Sequence, residues 1–229
     1  MRSVISVADQ GLTYANKMND RVWIFDLDDT LHDASAHIFP QINRQMTQYL
    51  MTHLDLDEPA ADQLRRDYWQ RYGATLNGLM RHHGTDPHHF LHHTHQFPSL
   101  HDMVVQAHGL RAMLGRLPGR KVIFTNAPRA YALRVLDILR IRDCFERVFS
   151  IESSGFRPKP EKAGFMRLLS EINASPRGCV MIEDSLPALR TARRLGMKTV
   201  LIHPRAKHPA YVDVRLKSVL ALPKIAALI

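Results

Sequence analysis

Residues 22–31, Val-Trp-Ile-Phe-Asp-Leu-Asp-Asp-Thr-Leu, decide how this chain is organised. Four apolar residues lead directly into a segment that holds three carboxylates. A strand covered on both faces loses the alternation of apolar and polar residues, so the apolar run predicts a buried strand. Ligands bind at the carboxyl edge of open α/β sheets. Asp26 and Asp28 therefore follow a predicted strand at the edge where a functional site is expected.

The spacing of Asp26 and Asp28 suits a cation site. With only Leu27 between them, both can face one site, and two close carboxylates repel unless a cation or a shared proton lies between them. A divalent cation with oxygen ligands, usually Mg²⁺, would relieve that repulsion. The alternative interpretation is a strand followed by an Asx-rich turn, in which Asp29 or Thr30 caps a helix.

The composition is that of a soluble protein of 229 residues, long enough for one core or for a core with a small second domain. No apolar run approaches the ~20 residues that span a bilayer. The first 21 residues lack the apolar centre of a signal peptide. We therefore expect a cytoplasmic protein with no membrane partner, in which Cys144 and Cys179 are free, buried thiols.

The formal net charge of +9 is unevenly distributed. Residues 1–108 hold 8 Lys and Arg against 13 Asp and Glu, whereas residues 109–229 hold 23 against 9. A basic half can attract phosphate-bearing substrates or nucleic acid, although a solvated basic surface accounts for most of these arginines. Without a zinc finger, an RNA-binding aromatic motif or an interleaved basic-aromatic run, nucleic acid is the less favoured partner.

Two halves of the chain differ in their predicted elements. Between residues 33 and 108 the pattern indicates helices and no further strand, with helices at 34–51, 57–72, 75–83, 86–95 and 102–114. After residue 114 strands and helices alternate. The predicted strands are 121–124, 148–151, 179–182 and 198–202. The helices between them are 128–139, 161–172 and 185–195, and a short final helix is predicted at 223–229. Alternation of this kind predicts an α/β fold with a doubly wound parallel sheet. We expect an α/β core domain of residues 1–31 and 109–229, and an inserted helical cap domain of residues 32–108 above the carboxylates.

Three further predicted strand ends or loops hold residues capable of chemistry. Thr125 and Asn126 follow the second core strand, and a hydroxyl and backbone N–H groups there could bind phosphate oxygens. Lys159 lies between two prolines that restrict its backbone. Glu183 and Asp184 end the fourth core strand and could complete a metal site. Each has an ordinary explanation taken singly, as a turn, a surface charge or an acidic helix N-terminus.

These segments resemble the four motifs of the haloacid dehalogenase-like hydrolase superfamily in its phosphatase form. Residues 25–31, Phe-Asp-Leu-Asp-Asp-Thr-Leu, are similar to its first motif. Thr125, Lys159 and the Glu183-Asp184 pair are similar to its second, third and fourth motifs. The resemblance covers residues 22–203 and implies a Rossmann-like core and magnesium-dependent hydrolysis of phosphomonoesters.

The resemblance also implies a role for each residue. Asp26 would be the nucleophile that forms an aspartyl phosphate, and Asp28 the general acid and later the base. Thr125 and Lys159 would hold the phosphoryl oxygens. Family members that remove halogens lack the second aspartate, so Asp28 argues against dehalogenation. The implied Mg²⁺ ligands are Asp26, the main-chain carbonyl of Asp28, Asp184 and, directly or through water, Glu183.

The predicted cap resembles the pyrimidine 5′-nucleotidase branch in residues 68–79 and in Asp86-Pro87. This second resemblance implies a nucleoside monophosphate whose base binds under the cap, with Tyr72, Thr75 and Arg81 as candidate contacts, although a structural role for each as a plain helix residue is the favoured interpretation. Three alternatives stay open: a phosphatase for another small phosphate such as a sugar phosphate, a phosphomutase, and a basic nucleic-acid-binding protein without turnover. We expect a monomer or a homodimer.

Eight histidines fall between residues 82 and 101. The pairs His88/His92 and His89/His93 are four residues apart on one predicted helix and could bind zinc or nickel. No cysteine or carboxylate at a fixed spacing completes such a site. We expect instead a solvated cap surface that changes charge near neutral pH.

Overall fold

The computed structural model describes residues 21–204 and 209–229. The predicted lead-in over residues 1–20 lies outside these ranges. Within them, no helix is both long and apolar enough to cross a membrane.

A six-stranded parallel sheet forms the centre of the molecule. Every neighbouring pair of strands is parallel, and the order across the sheet is β5 (Arg147–Phe149), β4 (Arg120–Phe124), β1 (Val22–Phe25), β6 (Cys179–Glu183), β7 (Lys198–Ile202) and β8 (Val214–Leu216). This arrangement confirms the predicted doubly wound sheet, although the last strand was not predicted.

Alternate residues of β1 point to opposite faces of the sheet, and helices cover both faces. Trp23 and Phe25 pack into one apolar cluster with α6 (Leu110–Gly115) and α7 (Arg129–Ile138). Ile24 packs into a second cluster with α8 (Lys162–Glu171) and α9 (Leu186–Leu195). Because both faces are covered, the strand is apolar throughout, as the uninterrupted run in the sequence predicts.

The segment between β1 and β4 is a block of helices with its own apolar cluster, which includes Leu50, Leu79 and Phe90. Asp57 and Asp86, at the predicted starts of two of these helices, cap them by accepting bonds from backbone N–H groups at 2.9 and 3.1 Å. The boundaries of the cap domain at residues 32 and 108 stay a proposal. The helices are α1 (Ile38–Leu54), α2 (Glu58–Tyr72), α3 (Thr75–His83), α4 (Pro87–Thr94) and α5 (Leu100–Met103).

The single helix predicted over residues 102–114 is wrong. α5 ends at Met103, and β3 (Val105–Gln106) pairs antiparallel with β2 (His32–Asp33). Gly109 follows with a φ of +93°, a conformation that interrupts a helix and that glycine adopts without strain. The segment over residues 32–108, which was predicted to hold only helices, therefore contains both strands of a small two-stranded sheet.

The C-terminal prediction is also wrong. In place of a helix over residues 223–229, the structure has a 3₁₀ helix at Val219–Lys224. The Ser218 hydroxyl caps it by accepting a bond from the Leu220 N–H at 3.3 Å. Pro223 lies inside this 3₁₀ helix and does not begin a new one.

Candidate active site

The sheet register brings three predicted site residues to one edge. Phe25 lies opposite Ile123 of β4 and Ile182 of β6. Asp26, which directly follows Phe25, donates its N–H to the Ile182 carbonyl at 2.9 Å and so stays level with the end of β6. Thr125, just after β4, and Glu183, the last residue of β6, therefore flank Asp26 at the ends of the two neighbouring strands.

Lys159 joins two of these strand ends through buried ion pairs. Its Nζ lies 2.6 Å from Asp26 Oδ1 and 2.6 Å from Glu183 Oε2. The three residues are only 6%, 5% and 2% exposed, for Asp26, Lys159 and Glu183 respectively. Asp184 completes a cluster in which one ligand oxygen from each of Asp26, Glu183 and Asp184 lies within 4.8 Å of the others. The edge thus holds three close carboxylates against one ammonium.

Burial dominates the electrostatics of this cluster. It raises the pKa of Asp26 and of Glu183 to about 7 each, and the charge of Glu183 adds to the shift at Asp26. Burial, and then the charge of Asp26, raises the pKa of Asp184 to about 6. For Lys159, burial opposes the charged form, but the carboxylates of Asp26 and Glu183 outweigh it, so its pKa lies above the ordinary value. Carboxylates whose ionisation is this costly suit a hard divalent cation with oxygen ligands, and the residues present fit Mg²⁺.

Asn126 clamps the backbone of Lys159. Its Oδ1 accepts the Lys159 N–H at 2.7 Å, and its Nδ2 donates to the Lys159 carbonyl at 3.0 Å. The predicted contact of Asn126 with phosphate would therefore fall to its backbone N–H. The clamp was not predicted, because it joins residues 33 positions apart and local spacing holds no signal for it.

Thr125 keeps a donor available at the same edge. Its Oγ accepts the Ala127 N–H at 3.0 Å, so its own hydroxyl proton is left for another acceptor. The residue is buried, with its backbone N–H bonded to the Phe149 carbonyl. This arrangement is compatible with the predicted contact to a phosphoryl oxygen.

The Asp28 carboxylate lies outside the acidic cluster and has different partners. Its Oδ1 accepts from the Tyr131 hydroxyl at 2.7 Å and from His32 Nε2 at 2.9 Å. Burial, and then the charge of Asp28, raises the pKa of Tyr131, so that its hydroxyl keeps its proton. Neither partner was predicted. His32 follows Asp28 by four residues, which could have suggested the contact, but Tyr131 is 103 residues away.

A cleft of about 540 Å³ lies between the helical block and the loop that precedes α8. Tyr72 and Arg81 line it on the helical side, with the Arg81 guanidinium 5.7 Å from the centre of the Tyr72 ring. The third predicted contact, Thr75, is buried, and its hydroxyl donates to the Arg65 carbonyl at 3.1 Å. Thr75 therefore serves the packing of the helices. The cleft residues are Tyr72, Asn77, Met80, Arg81, Gly155, Phe156, Arg157 and Glu161.

The histidine pairs of α4 lie on an exposed surface. His89 and His93 have ring centres 4.2 Å apart, and His93 Nδ1 bonds to the His89 carbonyl at 2.8 Å. Over the part of the chain that the structure describes, no three histidines bring ring nitrogens within 4.8 Å of one another. Nothing in this geometry strengthens the zinc or nickel interpretation.

Comparison with known proteins matches residues 21–196 to the haloacid dehalogenase-like hydrolase family. One curated relative is Phosphate metabolism protein 8 of Saccharomyces cerevisiae, which is 25% identical over 197 residues. The match covers 79% of this chain and 61% of the yeast protein, so the chain spans less than two thirds of that relative.

Solved structures of similar fold include a phosphatase, other hydrolases and dehalogenases. A HAD phosphatase from Thermococcus onnurineus has a TM-score of 0.64 and 18% identity, over 90% of this chain and 97% of its own. The putative HAD-hydrolase YfnB from Bacillus subtilis, bound to magnesium, has a TM-score of 0.60 and 17% identity, over 91% and 99%. L-2-haloacid dehalogenase from Xanthobacter autotrophicus has a TM-score of 0.59 and 14% identity, over 90% and 98%. At these identities the likeness concerns the fold alone.

Proposed function

We propose that this chain, which belongs to the haloacid dehalogenase-like hydrolase family, is a magnesium-dependent phosphomonoester hydrolase with Asp26 as its nucleophile. One observation supports this most: the buried Asp26 carboxylate, at the carboxyl edge of the sheet, bonds at 2.6 Å to Lys159 inside a cluster of acidic oxygens. A fixed ammonium beside a carboxylate orients the nucleophile and attracts the phosphoryl group.

In the first step, an Asp26 oxygen attacks phosphorus while the bond to the leaving oxygen breaks. Protonated Asp28 gives its proton to that oxygen, which departs as an alcohol. In the second step, water attacks the phosphorus of the aspartyl phosphate and Asp28 takes a proton from it. Phosphate leaves, and the Asp26 carboxylate is restored. Lys159 and the Thr125 hydroxyl would hold the phosphoryl oxygens in both steps.

Magnesium would be held by Asp26, Asp184, Glu183 and the main-chain carbonyl of Asp28. When bound, the ion neutralises charge that builds up on the transferring group. The raised pKa values of the three carboxylates support this assignment, because a buried acidic cluster without a cation binds protons instead.

For the substrate we favour a nucleoside 5′-monophosphate, preferably a pyrimidine nucleotide. The cleft offers the Tyr72 ring for contact with a base and the cations of Arg81 and Arg157 for its polar groups. A sugar phosphate, or transfer to a second hydroxyl as in a phosphomutase, would use the same chemistry at Asp26 with another leaving group. Asp28 argues against a dehalogenase, because the leaving halide needs no proton.

Nucleic-acid binding without turnover would draw on the basic half of the chain. A surface groove of about 890 Å³ beside β5 concentrates arginines, but many are already paired. Its ion pairs include Arg111–Asp143 at 2.5 Å, Arg142–Asp137 at 3.1 Å and Arg147–Glu171 at 2.5 Å. This pairing leaves little free positive charge there for a phosphate backbone. Such binding would fall steeply with salt and survive Asp26→Asn.

The experiment is phosphate release from a panel of nucleotides and sugar phosphates, with Mg²⁺ and with EDTA. We expect release only with Mg²⁺, and fastest from UMP, CMP or dTMP. Release from other phosphates alone would keep the Asp26 mechanism and reject the nucleotidase assignment, and transfer without net release would indicate a mutase. No reaction with any compound, by folded protein, would reject the proposed function.

A further inference from the structure

The two oxygens of the Asp28 carboxylate have unequal surroundings. Oδ1 accepts two hydrogen bonds, at 2.7 Å from the Tyr131 hydroxyl and at 2.9 Å from His32 Nε2. Oδ2 has no hydrogen-bond partner within residues 21–204 and 209–229. Since each donor that bonds an oxygen makes that oxygen a poorer place for a proton, the arrangement separates an anchored oxygen from a free one.

Both donors are held firmly in place. Tyr131 is 3% exposed, and its ring packs against those of Phe97 and His95, with centres 5.5 and 6.0 Å away. The His32 side chain is fully buried, and its strand β2 pairs with β3. Rigid donors of this kind fix the orientation of the carboxylate that accepts from them.

The His32 ring also has a defined donor. Its Nδ1 is buried and has no hydrogen-bond partner among the described residues. A proton on Nδ1 would be an unsatisfied buried donor, which is energetically unfavourable. The favoured tautomer therefore has its proton on Nε2, directed at Asp28 Oδ1.

We propose that Tyr131 and His32 are positioning residues that anchor Asp28 through Oδ1 and leave Oδ2 as the oxygen that exchanges the proton with the leaving group and the attacking water. This inference rests on the proposed function, in which Asp28 is the general acid and base. Tyr131 and His32 touch neither substrate nor phosphorus in this account. They act by fixing the angle at which Asp28 Oδ2 meets the leaving oxygen.

The inference predicts an effect that depends on the leaving group. An alkyl phosphate releases an alkoxide unless a proton arrives, so its cleavage needs a well-placed acid. p-Nitrophenyl phosphate releases a stable phenolate and needs none. Loss of either hydrogen bond to Asp28 should therefore slow hydrolysis of the alkyl phosphate and leave hydrolysis of p-nitrophenyl phosphate nearly unchanged. General damage to the site would slow hydrolysis of both.

The test compares kcat/KM for p-nitrophenyl phosphate with that for the alkyl phosphate that the enzyme cleaves fastest. Tyr131→Phe keeps the ring and removes only the donor. We expect it to lower kcat/KM for the alkyl phosphate about tenfold or more, mainly through kcat. That loss is part of the ~100- to 10,000-fold rate enhancement that general acid catalysis contributes. The loss on p-nitrophenyl phosphate should stay within about threefold. His32→Gln, which keeps an N–H donor, should retain more alkyl phosphatase activity than His32→Leu.

Tyr49→Phe is the matched control, because Tyr49 is also buried and its hydroxyl also bonds a neighbour, His89 Nδ1 at 2.9 Å, but within the helical cluster. This variant should leave kcat/KM unchanged for both substrates. Equal losses on both substrates in Tyr131→Phe and His32→Leu, or no loss on either, would overturn the inference. If wild-type protein cleaves no monoester with Mg²⁺, the proposed function fails first and the inference fails with it.

Discussion

The sheet edge and the cleft side of the helical block place their polar side chains in different surroundings. At the edge, Asp26, Lys159 and Glu183 are almost entirely buried and bond directly to one another. In the helical block, the hydroxyl of Tyr72 bonds to His82 on an exposed surface, at 2.6 Å. Buried charges tolerate few arrangements, whereas exposed ones tolerate many. We therefore expect changes at the edge to abolish the chemistry, and changes in the block to adjust which substrate binds.

The largest expected effect is that of Asp26→Asn. The amide has nearly the same shape but cannot attack phosphorus, so kcat should fall by more than about 10,000-fold while the protein stays folded. Steady-state kinetics and circular dichroism measure the two outcomes.

Asp29→Asn is the control for Asp26→Asn, because it removes the same charge from the same loop. Asp29 bonds locally to the backbone N–H of Ser35 at 2.8 Å and to its hydroxyl at 2.5 Å. Its kcat should fall by less than about tenfold. Comparable losses of kcat in the two variants would mean that activity depends on the charge or structure of the loop and not on Asp26 as the nucleophile.

Lys159→Met should damage both activity and stability. Without the ammonium, two buried carboxylates face each other, and breaking a buried ion pair costs about 3–5 kcal/mol in the free energy of unfolding. Loss of its contact to the phosphoryl group should lower kcat about 100- to 1,000-fold. Urea denaturation at neutral pH, with turnover measured in parallel, checks both.

Lys121→Met is the matched control for stability, because Lys121 is partly exposed and its Nζ bonds to the Gly119 carbonyl, at 3.1 Å, with no carboxylate partner among the described residues. It should change the free energy of unfolding by less than about 1 kcal/mol. If Lys159→Met were as stable as Lys121→Met, the buried ion pairs would not hold the strand ends together.

The same contrast explains what could be predicted from the sequence. The strand end at Asp26 was predictable because apolar runs and carboxylates are adjacent in the chain, and the parallel sheet then brings Glu183 beside it. The hydrogen bonds of Asn126 to Lys159 and of Tyr131 to Asp28 could not be predicted, because they join segments that are distant in the sequence and depend on side-chain geometry. The β2–β3 pair was missed because two-residue strands have no periodicity to detect. Roles for Tyr72 and Arg81 stay proposals.

Stabilisation by Mg²⁺ should grow with pH. In the metal-free protein, burial raises the pKa of Asp26 and Glu183 to about 7 and that of Asp184 to about 6, above their ordinary values of 3.8, 4.5 and 3.8. The folded protein therefore keeps protons that the unfolded chain loses, and this contribution to stability is lost as pH rises from about 4 to 7. Mg²⁺ must displace those protons, so it binds more tightly at higher pH.

Thermal unfolding with and without Mg²⁺, at about pH 5 and pH 8, measures this effect. Excess Mg²⁺ should raise the free energy of unfolding by about 2–3 kcal/mol at pH 8, as for a ligand at roughly 100 times its Kd. At pH 5 the increase should be smaller. Asp184→Asn should reduce the effect at pH 8. A Mg²⁺ effect that is equal at both pH values would contradict a metal site built from these carboxylates.

The smallest expected effect is that of Arg81→Ala in the helical block. Loss of one cation from the cleft should raise KM for the preferred nucleotide about tenfold, which is ~1.4 kcal/mol of binding, with kcat changed less than about twofold. Arg71→Ala, an exposed arginine of α2 that is not among the cleft residues, is the control and should leave KM unchanged. A large fall in kcat for Arg81→Ala would contradict the division in which the sheet edge performs the chemistry and the helical block binds the substrate.

The central claim is that Asp26 becomes phosphorylated during turnover. The most direct measurement is to mix protein with its best substrate and Mg²⁺, quench in acid within milliseconds, and map the digested peptides by mass spectrometry. We predict a phosphoryl group on the peptide that contains Asp26, absent with EDTA and absent in Asp26→Asn. Phosphate release without a labelled Asp26, together with retained turnover by Asp26→Asn, would contradict the account.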